Sequence, residues 1–99
     1  MGLLGRVLAK LDTAHEAVQR ECTTVTAHQA DLIAAEKTLI WLHDRHPDPQ
    51  IRQAGVLLRR ALTALERTIA GLHHADRQLR DYSDHVTALL TEPDRNRTP

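Results

Sequence analysis

Aliphatic residues recur every seven positions in two long series along this chain. The first series contains Leu4, Leu11, Val18, Val25, Leu32 and Leu39, and the second contains Ile51, Leu58, Leu65, Leu72, Leu79 and Val86. Leu, Ile and Val make up only 24 of the 99 residues, so composition alone does not explain two unbroken series. A repeat of seven is typical of helices that pack side by side. Because the two series are symmetric about Arg45, they predict an antiparallel, coiled-coil-like hairpin of two helices.

Local signals just after the centre of symmetry predict where the chain turns. Pro47 disfavours helical geometry at His46 and cannot donate a backbone hydrogen bond. Asp48 can cap a following helix, and Pro49 suits the first helical position. The first helix is therefore expected to end before Pro47, and the second to begin directly after Asp48.

These signals predict one all-α domain. It spans residues 1–91, with helix one at about 3–44, a turn at 45–48 and helix two at about 49–91. Residues 92–99 have too few apolar side chains to pack and predict a flexible tail. An alternative is a break in helix one near Thr26, where β-branched residues cluster and Gln29 completes a capping box. We favour a continuous helix, because the series of aliphatic residues passes through this segment without a phase shift.

If the aliphatic series forms one inward row of each helix, a second inward row is expected three residues after each member. That row is Val7, Ala14, Glu21, His28, Ala35 and Leu42 in helix one, and Ala54, Ala61, Thr68, Ala75, Tyr82 and Leu89 in helix two. Its members are mostly small, which permits close approach of the helices. On this arrangement we expect Gly71 to face Ala17 closely.

Apolar residues outside the predicted seam are more numerous than two helices can cover. We predict that they form a partner-binding surface, composed of Ile33, Ile40, Trp41, Val56, Leu62 and Ile69. Trp41 is the expected anchor, because a lone exposed Trp often dominates binding energy. A hairpin alone buries little apolar area relative to the entropy lost on folding, so we expect dimerisation into a four-helix bundle. The expected partner is a second copy or another helical-hairpin protein.

Composition excludes several classes of function. Thirteen basic and thirteen acidic residues cancel, which argues against nucleic acid as a partner. No apolar run is long enough to span a membrane or to serve as a cleaved leader, so we expect a cytoplasmic protein or one exported without a cleaved signal peptide. A helix pair lying on a lipid surface is a further alternative, which the mixed charge disfavours. No nucleophile motif or phosphate-binding loop is present, so we expect neither an enzyme nor a cofactor.

Seven histidines raise an alternative function, a metal- or pH-responsive helical bundle. The candidate side chains are His15, His28, His43 and His46. No metal site is assigned, because His46 precedes a proline and should leave helical geometry. His15 is instead expected to lie across from Asp76 as an ion pair.

The chain resembles the Trp-x-Gly family of small helical-hairpin proteins of type VII secretion. The resemblance rests on the length of about one hundred residues, two antiparallel helices, Trp41 near the hairpin midpoint and Tyr82 late in helix two. This sequence has Trp41-Leu42-His43 where the family has Trp-x-Gly, and Val86 where the family's C-terminal signal has an acidic residue. The resemblance implies pairing with a similar hairpin or with the helical leader of a larger effector.

Overall fold

The computed structural model describes residues 2–91, and this part of the chain contains two long α-helices and no strand. Helix α1 spans Leu3–Arg45 and helix α2 spans Pro49–Thr91. The prediction of an all-α chain with two long helices is confirmed. Thr26 lies inside α1, so the alternative of a break there does not occur. The predicted tail at 92–99 lies outside the described residues.

The turn between the helices has the local chemistry expected of it. The backbone N–H of His46 donates to the Leu42 carbonyl at 2.8 Å and closes the last turn of α1. Asp48 Oδ1 accepts a hydrogen bond from the backbone N–H of Gln50 at 2.8 Å. This contact satisfies one of the free N–H groups at the start of α2, so Asp48 is the N-cap residue that the sequence predicts.

The chain divides into two compact units. The turn unit is Cys22–Gly71, and the terminal unit combines the described residues of Met1–Glu21 and of Leu72–Pro99. In the turn unit α2 runs back along α1, and Val25 and Leu62 are buried, with exposures of 6% and 0%. In the terminal unit Val86 is buried. Within residues 2–91 no other side chain is buried to this degree, so the apolar interior of each unit is thin.

The second inward row of each helix lies four residues after the aliphatic series, so the predicted spacing of three is wrong over most of the chain. The inward-facing positions of this row are Leu8, His15, Cys22, Gln29, Glu36 and His43 in α1, and Gly55, Leu62, Ile69, Asp76 and Ser83 in α2. Most of the residues predicted for the row are exposed instead: Glu21, His28, Ala35, Ala54, Ala61, Thr68, Tyr82 and Leu89. This rotation places Leu62 and Ile69 inward in place of Ala61 and Thr68, which removes more apolar area from water.

The predicted close approach at Gly71 is also wrong. A Cβ atom added to Gly71 would meet no other atom within 4 Å, and the backbone there is ordinary α-helix. Gly71 therefore lowers the stability of α2 without a packing reason in the structure.

We expect Gly71→Ala to raise the free energy of unfolding by about 0.5–1 kcal/mol, because alanine loses less conformational entropy in a helix. For a domain of this size the corresponding increase in Tm is about 4–8 °C per kcal/mol. Thermal unfolding followed by circular dichroism measures it. A lower Tm for Gly71→Ala would show that a neighbouring group occupies this position in solution.

Candidate interaction surfaces

The structure separates the six predicted partner-binding residues into two groups. Ile33, Ile40, Trp41 and Val56 are exposed. Leu62 is fully buried and Ile69 is half-buried, so both contribute to the seam between the helices. The prediction that the hairpin leaves these two side chains uncovered is wrong, because it followed from the wrong spacing of the second inward row.

Leu57 is an exposed apolar residue that the sequence analysis did not assign to the partner-binding surface. Leu57 is 56% exposed, which equals the exposure of Trp41. It precedes Leu58, a member of the aliphatic series. Its neighbours Ala54 and Ala61 share its face of the helix, and this spacing is the signal that could have identified it.

An apolar groove runs between the helices on one side of the turn unit, and we call this side the groove face. Its apolar lining residues are Leu39, Ile40, Ile51, Gly55 and Val56. The groove has a volume of about 410 Å³ and is open to solvent. His43 lies at its turn end, and its Nδ1 is buried with no hydrogen-bond partner among the described residues. Two of the predicted partner-binding residues, Ile40 and Val56, therefore lie in one recess.

Charged residues of opposite sign line the two sides of this groove. The α1 side carries Glu36 and Asp44, and the α2 side carries Arg52, Arg59 and Arg60. Arg59 Nε lies 3.3 Å from Glu36 Oε2, so these two charges pair across the groove. Asp44 and Arg52 form no ion pair with any described residue. The groove thus has an acidic wall and a basic wall, each with an unpaired charge near the turn.

A second, shallower apolar surface lies on the opposite side of the turn unit, and we call it the alanine face. It is lined by Ala35, Thr38, Leu39, Ala54, Leu57, Leu58 and Ala61 and has a volume of about 690 Å³. None of these residues is charged. The Thr38 hydroxyl donates to the Ala34 carbonyl at 3.1 Å, so this polar group is satisfied within its own helix.

Trp41 occupies neither of these surfaces. It lies two residues after Leu39 on a helix that turns about 100° per residue, so it projects away from α2. The guanidinium carbon of Arg45 lies 4.4 Å from the centroid of the Trp41 ring, within the range of a cation–π contact. The ring is 56% exposed, so Arg45 covers only part of it.

In the terminal unit, His15 lies against Asp76, as the sequence predicts. His15 Nε2 lies 2.5 Å from Asp76 Oδ1, and Arg80 Nη2 lies 3.2 Å from Asp76 Oδ2. Arg80 Nε is also 3.5 Å from His15 Nε2, but one nitrogen cannot both accept from Arg80 and donate to Asp76. We assign the Nε2 proton to the contact with Asp76, which is the shorter of the two, because Asp76 Oδ1 has no other hydrogen-bond partner among the described residues. Both side chains are half-buried.

The remaining candidate histidines do not lie together in one site. His28 and His46 are exposed, and His43 lies in the groove. The expectation that His28 lies in the seam is wrong, because the second inward row passes through Gln29 instead. Across residues 2–91, no three His, Cys, Asp or Glu side chains are close enough together to hold a metal ion. The single cysteine, Cys22, is half-buried with a free thiol.

Neither helix, over the part of the chain that the structure describes, has a stretch long and apolar enough to cross a membrane. Comparison with protein families, with curated proteins and with solved structures found no match to this chain.

Proposed function

We propose that this chain is a non-enzymatic helical-hairpin module that binds helical segments of other protein chains and completes a four-helix bundle with them. The observation that carries the proposal is the imbalance between buried and exposed apolar side chains. Three side chains are buried among residues 2–91, whereas Ile33, Ile40, Trp41, Val56 and Leu57 are exposed within the turn unit.

This imbalance is unfavourable for an isolated hairpin. Each ordered residue loses conformational entropy worth about 1.5 kcal/mol, and burial of apolar area must offset it. A thin interior provides little of that area, so a second layer of helices supplies what the hairpin lacks. The exposed apolar side chains are the surface on which such a layer packs.

A helical partner fits these surfaces better than a small molecule or a nucleic acid. The groove face is an open apolar groove lined by both helices. An amphipathic helix can lay its apolar face into such a groove. The resemblance to the Trp-x-Gly proteins supports the same class of partner, a similar hairpin or the helical leader of an effector. Equal numbers of acidic and basic residues provide no general attraction to phosphate groups.

The proposal predicts that folding is coupled to association. We expect the purified chain either to self-associate at micromolar concentration, with a Tm that rises with protein concentration, or to be only partly helical when alone. Light scattering gives the mass, and circular dichroism gives the helix content and the melting curve. A fully helical monomer that unfolds cooperatively at a concentration-independent Tm would contradict the proposal, because such a hairpin needs no second layer.

A further inference from the structure

We infer that the groove face binds a second copy of this chain, with the two turn units packed groove to groove about a twofold axis parallel to their helices. The inference rests on the proposed function of the hairpin as an interaction module, and it specifies the partner and the surface. It concerns only the turn unit.

The first reason is that the groove has acidic side chains on one wall and basic side chains on the other, so two copies of it can attract each other. Its α1 wall is acidic, with Glu36 and Asp44, and its α2 wall is basic, with Arg52 and Arg59. A twofold axis parallel to the helices places α1 of one copy against α2 of the other. The acidic wall of each copy then faces the basic wall of its partner, at the level set by the Glu36–Arg59 pair.

The alternative axis, perpendicular to the helices, is disfavoured by the same charges. It would place α1 against α1 and α2 against α2, so the basic walls would face each other. The parallel axis has a further advantage, because every helix is then flanked by antiparallel neighbours whose dipoles oppose it. Ile40 of one copy would lie against Val56 of the other.

The second reason is that two charges in the groove are poorly placed for the folding of a single chain. Asp44 lies in the last turn of α1, and Arg52 lies in the first turn of α2, which contains no acidic residue. A negative charge at a helix C-terminus and a positive charge at an N-terminus both oppose the helix dipole. Neither side chain has an ion-pair partner among residues 2–91. Pairing Asp44 of one copy with Arg52 of the other provides each with a partner.

Complementary charge reversals test this arrangement. Asp44→Arg places arginine opposite Arg52 of the partner at both symmetry-related contacts, and Arg52→Asp places aspartate opposite Asp44. Each variant alone should dimerise about tenfold more weakly than the unmodified chain. An equimolar mixture of the two variants should form a heterodimer close to the original affinity, because both of its cross-contacts are then attractive. Sedimentation velocity on the full chain measures these affinities.

The variants are chosen so that misfolding does not confuse the result. Arginine at 44 and aspartate at 52 both suit the dipoles of their own helices, so circular dichroism should show unchanged or higher helix content. Asp31→Arg is the matched control, since Asp31 is exposed and lies nine residues, or half a rotation, from Ile40 on α1. We expect this variant to dimerise as the unmodified chain does.

Four results would overturn the inference, and they separate it from the proposed function. If the mixture associates no better than its components, or if Asp31→Arg weakens the dimer equally, the dimer uses another surface, and the proposed function stands. If the unmodified chain is a partly helical monomer, a second copy is the wrong partner. The proposed function then stands, because the hairpin still needs a second layer of helices from another protein. If it is a fully helical, cooperatively folded monomer, both proposals fail.

Discussion

Replacing Leu62 with alanine is expected to lower the free energy of unfolding by about 2–5 kcal/mol, the largest effect of any single truncation in this chain. Among residues 2–91, Leu62 is the one residue with 0% exposure, and it lies in the turn unit with Val25 as the other buried side chain. Alanine at this position removes apolar area and leaves a cavity that two helices close only in part. The hairpin has few other buried contacts to compensate for the loss.

The matched control is Leu57→Ala, which makes the same chemical change on an exposed residue five positions earlier in α2. Its effect on the free energy of unfolding should be within about 0.5 kcal/mol. Both variants are compared with the original chain by urea unfolding at one protein concentration, because association shifts apparent stability. If Leu57→Ala were the more destabilising substitution, the alanine face would be buried in solution. The rotation of α2 about its axis would then differ from the one observed.

Replacing Asp76 with alanine is expected to lower the free energy of unfolding by about 1–3 kcal/mol. Asp76 Oδ1 is inaccessible to solvent and lies 2.5 Å from His15 Nε2. Its removal leaves the imidazole half-buried without its acceptor. The contact with Arg80 adds little, because that side chain is 59% exposed and solvent screens its charge.

Two further variants identify the origin of this loss. Asp81→Ala removes an exposed carboxylate from the same helix and should have almost no effect on thermal or urea unfolding. His15→Ala combined with Asp76→Ala should destabilise the chain by less than the sum of the single changes, because the two residues act as a pair. Additive effects would show that His15 and Asp76 do not interact in solution, despite their short separation.

The His15–Asp76 pair shows which features of a contact the sequence predicts and which it does not. Symmetry about the turn is enough to place position 15 level with position 76, so the contact is predictable from residue numbers. The burial of the pair was not predicted, because burial depends on which side of each helix faces the other. The same limitation explains why Leu62 and Ile69 were assigned to a partner surface although the chain covers Leu62 fully and Ile69 in part.

For the groove face, the sequence likewise predicted which residues are exposed but not how they are arranged. Ile40 and Val56 were predicted to be uncovered, and they are exposed. Their meeting in one groove, between an acidic and a basic wall, was not predictable from the pattern of residues. Each wall lies on a different helix, and only the packing of the turn unit brings Asp44 and Arg52 to one surface.

The sequence by itself determined the two helices and the turn between them, because the signals are local. Pro47 prevents helical geometry, Asp48 caps α2, and a series of one aliphatic residue in seven is helical whichever side faces inward. Only the tertiary structure decided the rotation of each helix about its axis. A repeat of seven admits a second inward row at a spacing of three or of four. Packing selects four, which turns Leu62 and Ile69 inward rather than Ala61 and Thr68 and so removes more apolar area from water.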